Sequence, residues 1–146
     1  MALKANELRI GNLVKDRGNK ILRIDWFEKN IVCQSMTISN QSVHPLTEDY
    51  EYLQPIPLTE EWLLRFEFAY IYNANMLFKK VSKSNPERNI VFIVFIVSIR
   101  DDKNEMPTRV LDDNEVEYIF IKMPEHVHTF QNIVHALTGE ELTVKE

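Results

Sequence analysis

The chain has little of what most enzyme signatures are built from. Of its 146 residues three are glycine, Gly11, Gly18 and Gly139, and one is cysteine, Cys33. Scattered glycines cannot make a phosphate-cradling loop or a dinucleotide fingerprint, and no G-x-S-x-G elbow is present. A lone cysteine excludes an intramolecular disulfide and a cysteine-based zinc cluster, and Cys33 falls in an expected strand with no basic neighbour to lower its pKa. Long apolar runs are also missing. The longest, Ile90 to Ile99, is half the ~20 residues that span a bilayer, and the start MALKANELRI has no signal-peptide core. Neither membrane insertion nor secretion is expected, and the cytoplasm is the expected compartment. There is no low-complexity segment and no internal repeat.

What is present is enough for a core. The chain is 45% hydrophobic and 27% charged, the balance of an ordinary globular protein of one domain or two small ones. Its net charge of −5 opposes bulk attraction to nucleic acid. The charge is unevenly spread, however: residues 1–30 carry seven Lys or Arg against four acids, residues 31–78 carry Arg65 against six, and the remainder nine against twelve. Lys15, Arg17, Lys20 and Arg23 could therefore meet a phosphate backbone, although such an imbalance is more often a solvated face.

The chain is organised around Pro55 to Phe68, PIPLTEEWLLRFEF. Two prolines one residue apart fix φ and keep Gln54 to Pro57 extended. Thr59 is placed to cap a helix whose first turn holds Glu60 and Glu61, with Leu58 and Leu63 as a hydrophobic staple. Leu58, Trp62 and Phe66 recur every four residues on one face, expected to pack between the segments on either side.

Before this connector, short alternating runs predict strands at 13–16, 20–26, 31–36 and 41–44, with a turn at Arg17-Gly18-Asn19. In the second run Leu22, Ile24 and Trp26 should share a face opposite Arg23 and Asp25. A helical turn at 49–53 and the extended Gln54 to Pro57 complete a segment, 1–57, expected to be a small SH3-like barrel. After the connector, residues 58–146 predict strands at 68–73, 76–81, 90–99, 108–111 and 116–122. Turns or loops fall at Asn73-Ala74-Asn75, at 82–89 (SKSNPERN), at 100–105 and at 112–115. IVFIVFIVSI lacks polar alternation, so it should be a central strand covered on both faces, in an antiparallel meander. Pro124 fits the first turn of a last helix, Gly139 its end, and Val127, Phe130, Val134 and Leu137 its apolar stripe with Ile133 beside it. Leu142 and Val144 suggest a short edge strand. The expected fold class is thus α+β.

Candidate chemistry is sparse. On a helix His126 and His128 point about 200° apart, and His128 and His135 sit roughly 10 Å apart along the axis, so neither pair would hold one zinc ion; an extended start would instead align His126 and His128. Asp101, Asp102, Asp112, Asp113 and Glu115 lack the spacing of a calcium loop. Neither a metal nor a cofactor is expected. His128, Gln131 and His135, with Asn132 alongside, lie opposite the apolar stripe as a partner-binding face or an ordinary solvated one. Tyr50 and Tyr52 with Trp26 could form an aromatic patch for a peptide or a base, core packing being the usual fate of such a tryptophan.

Three blocks, ELRIGNLV at Glu7 to Val14, PIPLTEEWL at Pro55 to Leu63, and H-x-x-QN followed by ALTGEEL at His128 to Leu142, resemble a group of small proteins carried by Bacteroidetes bacteria, their prophages and mobile elements. The resemblance implies a phage-like or mobile-element origin and a bacterial cytosol. Those proteins often carry Phe-Gly-Phe where this chain has Phe66-Glu67-Phe68, and an aromatic residue at the position of His135. The expected function is a non-enzymatic protein-interaction module with a bacterial or phage partner and unspecified oligomeric state. The alternatives are a nucleic-acid accessory role through the basic segment and hydrolase chemistry around His128.

Overall fold

Asp16 to Lys20 reverses the chain through its own polar groups. Lys20 N–H donates to Asp16 Oδ1 at 2.8 Å, Asn19 N–H donates to Asp16 O at 3.0 Å, and Asn19 adopts φ 63°. Asparagine tolerates that left-handed geometry. The structure, a computed structural model, describes residues 3–27, 31–35, 46–48, 52–70, 76–85, 88–98, 105–111 and 116–145.

Around this turn β1 (Leu13–Lys15) and β2 (Ile21–Phe27) pair, followed by β3 (Ile31–Ser35) and β4 (Leu46–Glu48), in an antiparallel sheet of order β1-β2-β3-β4. Alternation works as expected at Leu22 and Ile24, which are buried with Leu3, Leu8, Val14 and Leu53 in one cluster, while Arg23 is exposed. Ile24 pairs with Cys33 and Trp26 with Val32, so the register shifts at Asp25. A bulge of this kind is invisible to a period-two reading. The other edge of β1 bonds Gln54, with Lys15 N–H to Gln54 O at 3.0 Å and Gln54 N–H to Lys15 O at 2.8 Å. No closed barrel is formed among the described residues. The expected strand at 41–44, Tyr50 and most of the expected turn at 49–53 lie outside them.

The second sheet is the expected antiparallel meander. Its order is β5 (Ala69–Tyr70), β6 (Met76–Asn85), β7 (Arg88–Ser98), β8 (Glu105–Leu111) and β9 (Val116–Lys122), with Ile90 to Ser98 of the apolar run in the central strand. SKSNPERN, expected as a loop, is instead strand on both sides of a hairpin, with Lys83 opposite Val91 and Asn85 opposite Arg88. Backbone pairing with the long neighbouring strand outweighs the weak local preference of Ser, Asn and Lys. β8 starts at Glu105, earlier than expected, and includes Pro107. Its pairing with β7 begins only at Thr108, so the proline stands just outside that ladder, where a missing N–H is tolerated. The expected turn at 73–75 and the acidic residues 101, 102, 112, 113 and 115 lie outside the described residues.

The connector helix α1 spans Glu60–Arg65. Thr59 has the extended backbone of an N-cap, but its hydroxyl accepts no capping bond, contrary to the expected cap. The other end is closed better. Phe68 N–H donates to Leu63 O at 3.0 Å and Glu67 N–H to Leu64 O at 2.9 Å, with Glu67 at φ 63°. This is a Schellman closure with glutamate where glycine is usual. Trp62 and Phe66 are buried, their ring centroids 6.0 Å apart.

The last helix, α2, spans Val127–Thr138, so Pro124 precedes it and does not occupy its first turn. Residues 125–127 are drawn into extended pairing with the proline stretch: Leu58 N–H donates to Glu125 O and Val127 N–H to Ile56 O, both at 2.9 Å, with Pro57 opposite His126. Gly139 ends the helix as expected, at φ 77°. Val127, Phe130 and Val134 are fully buried, Ile133 and Leu137 half-buried. No strand forms at Leu142 or Val144, though Leu142 is buried and Lys145 N–H donates to Arg65 O at 3.0 Å.

The chain divides into two compact units, Met1–Leu58 with Glu125–Ile133, and Thr59–Pro124 with Val134–Lys145. The residues of α2 are shared between them.

Candidate functional site

Two side chains expected on a solvated or partner-binding helix face, His128 and Gln131, are buried, 3% and 0% exposed. Gln131 Oε1 accepts from Leu13 N–H at 2.8 Å and its Nε2 donates to Gly11 O at 3.1 Å. Asn132 Oδ1 accepts from Arg9 Nε at 3.2 Å and Asn12 Nδ2 at 2.9 Å, and its Nδ2 donates to Glu7 O at 2.9 Å. Gly11 takes φ 89°, where a Cβ would be strained. These amides clamp the Glu7 to Val14 backbone. A buried amide satisfied at both ends is a structural device first. The signal missed in the sequence is pairwise: nothing in α2 alone shows that Gln131 and Asn132 match a stretch 120 residues earlier.

The histidines follow from where α2 starts. Because His126 lies before the helix, it comes beside His128, with ring centroids 5.7 Å apart and planes inclined by 19°. Helical separation of the two therefore does not apply. Even so, no group of three or more His, Cys, Asp or Glu converges among the described residues. Burial lowers the His128 pKa below the usual histidine value, His126 lowers it further, and Glu7 opposes the shift. Its Nε2 is 3.3 Å from Thr129 Oγ1, and its buried Nδ1 has no partner among the described residues. A ring so covered is poorly placed to take a proton from a substrate. His135 is elsewhere, with Nε2 3.6 Å from Glu141 Oε1.

The basic residues of the first unit remain at its surface. Arg17 lies over the Tyr52 ring at 3.8 Å, Tyr52 being 40% exposed. Lys20 is exposed in the turn and Lys15 half-buried on β1. Arg23 Nε is 3.1 Å from Asp25 Oδ1. Arg17 and Tyr52 thus meet, whereas Arg23 is engaged within its own strand.

In the second unit, Lys79, Lys80, Val81, Val134, Glu140, Glu141 and Leu142 line an open groove of about 300 Å³. That lining brings two ammonium and two carboxylate side chains together with Val81, Val134 and Leu142, and holds no hydroxyl, thiol or imidazole.

The outer face of the β6–β7 pair is the candidate that sequence reading undervalued. Register places Leu77, Phe95 and Val97 on one face, all buried, and Met76, Phe78, Val94 and Ile96 on the other. There Met76 is 45% and Phe78 36% exposed, and Val94 and Ile96 are half-buried. On the central strand Phe95 and Val97 are thus fully covered, and Val94 and Ile96 on the opposite face half-covered. Continuous apolarity in the sequence calls for cover on both faces. Contiguous exposed apolar surface on a folded chain marks an interaction site. No family model, no curated protein and no solved structure matches the chain.

Proposed function

We propose that the chain is a non-enzymatic protein-interaction module that binds through the outer face of β6 and β7. The exposed row of Met76 and Phe78 beside Val94 and Ile96 carries this reading. Apolar side chains of this size gain about 1.5–3 kcal/mol each when buried fully. An SH3-like first unit belongs to the same proposal. Its support is the order β1-β2-β3-β4 with Gln54 bonded to the free edge of β1, the neighbour relation in which a fifth strand completes a small barrel. A mobile-element origin and a bacterial cytosol rest on the sequence resemblance. Two of its blocks, Glu7 to Val14 and His128 to Asn132, are hydrogen-bonded to each other. No helix among the described residues is long and apolar enough to cross a membrane.

The test is recovery of a partner. A tagged chain, expressed with an untagged copy in a Bacteroidetes host, should retain a discrete protein after nuclease treatment, whether that copy or a host protein, and Phe78→Glu should lose it. Recovery of nothing, or equal recovery by both, overturns the reading.

A second reading draws on Arg17 over Tyr52, since a guanidinium stacked on an exposed ring beside Lys15 and Lys20 suits a phosphate and a base. Binding of a single-stranded oligonucleotide should then weaken steeply between about 50 and 200 mM salt. Affinity independent of salt rejects it.

A further inference from the structure

We propose that His126 and His128 form an acid-operated latch: neutral rings hold residues 125–133 in the first unit, and protonation of the buried ring releases them.

The latch has a mechanical part. Glu125 to Ile133 belong to the first unit and are fastened there on either side of His128. Before it, Leu58 N–H donates to Glu125 O and Val127 N–H to Ile56 O, both at 2.9 Å. One turn after it, Gln131 is bonded to Leu13 and Gly11, and Asn132 to Glu7 O. His128 sits between these attachments, 3% exposed, so a change in its charge acts on both.

The electrical part works against a cation in three ways. Nδ1 of His128 is buried without a partner among the described residues. In a neutral ring that atom can be a bare lone pair, whereas protonation makes it an N–H with no acceptor. His126 stacks beside it at 5.7 Å between centroids, so a second proton enters next to a like charge. His128 is also the second residue of α2, at the helix end whose dipole disfavours cations. Of the other charged groups around the ring, Glu7 in the N-terminal turn opposes these effects. Arg9, whose Nε lies 3.2 Å from Asn132 Oδ1 one turn along α2, is a further cation. Glu125 is exposed, and Gln54 to Leu58 carries no charge.

The balance holds the His128 pKa below the ordinary histidine value, burial being the largest cause. A released ring regains that value. Release therefore takes up a proton and is favoured as pH falls below about 6.5. It also uncovers Val127 and Phe130, both fully buried in the seated form, and so converts an acid signal into new apolar surface.

Amide exchange of the full chain, read residue by residue by NMR and corrected for the intrinsic pH dependence of exchange, tests the latch. Between about pH 7 and pH 5 the amides of Leu13, Leu58 and Val127 should lose protection on the order of tenfold, as one histidine titrating only when released requires. The amides of Ile93 to Phe95, in a strand paired on both sides, should keep theirs. His128→Gln should abolish the pH-dependent loss. Should that variant lose native structure, His126→Gln is read in its place and should reduce the loss by removing the neighbouring charge. No loss in the wild-type chain, an equal loss at Ile93 to Phe95, or a full loss persisting in the folded variant overturns the proposal.

Discussion

Gln131 has no exposed surface, and both ends of its amide are bonded to the backbone of residues 11–13. Truncating it leaves a buried N–H without its acceptor. Gln131→Ala should cost about 1–3 kcal/mol in urea unfolding, and an effect below ~0.5 kcal/mol, typical of surface sites, contradicts the clamp. His128 calls for a pH measurement. Its folded pKa is lowered by burial and by His126, against a smaller raising effect from Glu7. Between the folded value and the ordinary value near 6.5 the unfolded chain binds more protons, so stability should fall as pH drops below about 6.5 and level off below the folded pKa. His128→Gln should flatten that slope, which unfolding midpoints across pH will show. At this scale the sequence was least legible. It marked Gln131, Asn132 and His128 as a polar set, but burial and bonding depend on a pairing between distant segments that no local period reveals.

Elements were more legible, because hydrophobic period and end residues report them directly. α1 was expected directly after Thr59 and spans Glu60–Arg65; the meander and α2 also appear. The misses share a cause: SKSNPERN and Pro124 were assigned by local preference, while strand pairing decided the first and bonding of residues 125–127 to the proline stretch the second. Glu67 sits at φ 63° in the α1 closure. Glu67→Gly should raise stability by about 0.5–1 kcal/mol, because its half-exposed ion pairs, 3.6 Å to Lys79 and 3.9 Å to Lys145, contribute little. A thermal midpoint that falls instead would show those pairs to matter. Trp62, 8% exposed, should cost about 3–5 kcal/mol as Trp62→Ala, and a loss near 1 kcal/mol in denaturant titration would make α1 a mere tether.

On the whole-molecule scale the sequence suggested a divide between 57 and 58, and the contiguous segments it implied are not the compact units. The first unit, Met1–Leu58, also requires Glu125–Ile133, which supply the partners of Leu13, Gly11 and Glu7. A fragment of residues 1–58 should therefore show no cooperative thermal unfolding by circular dichroism, and a sharp two-state melt would refute that dependence. Composition could not reveal this, since a boundary in chain order carries no record of which later residues return.

That return sets a timetable for synthesis. The first unit is not complete until Ile133 is available, and the second needs residues through Lys145. At roughly 5–20 residues per second, the early sheet waits several seconds on the ribosome with the Leu13 amide and the Gly11 carbonyl still lacking their Gln131 partners. Neither unit can be finished before the residues of α2 leave the exit tunnel. A message cut short anywhere upstream of α2 thus yields a product with both halves incomplete, one suited to clearance by proteases and not to partial activity.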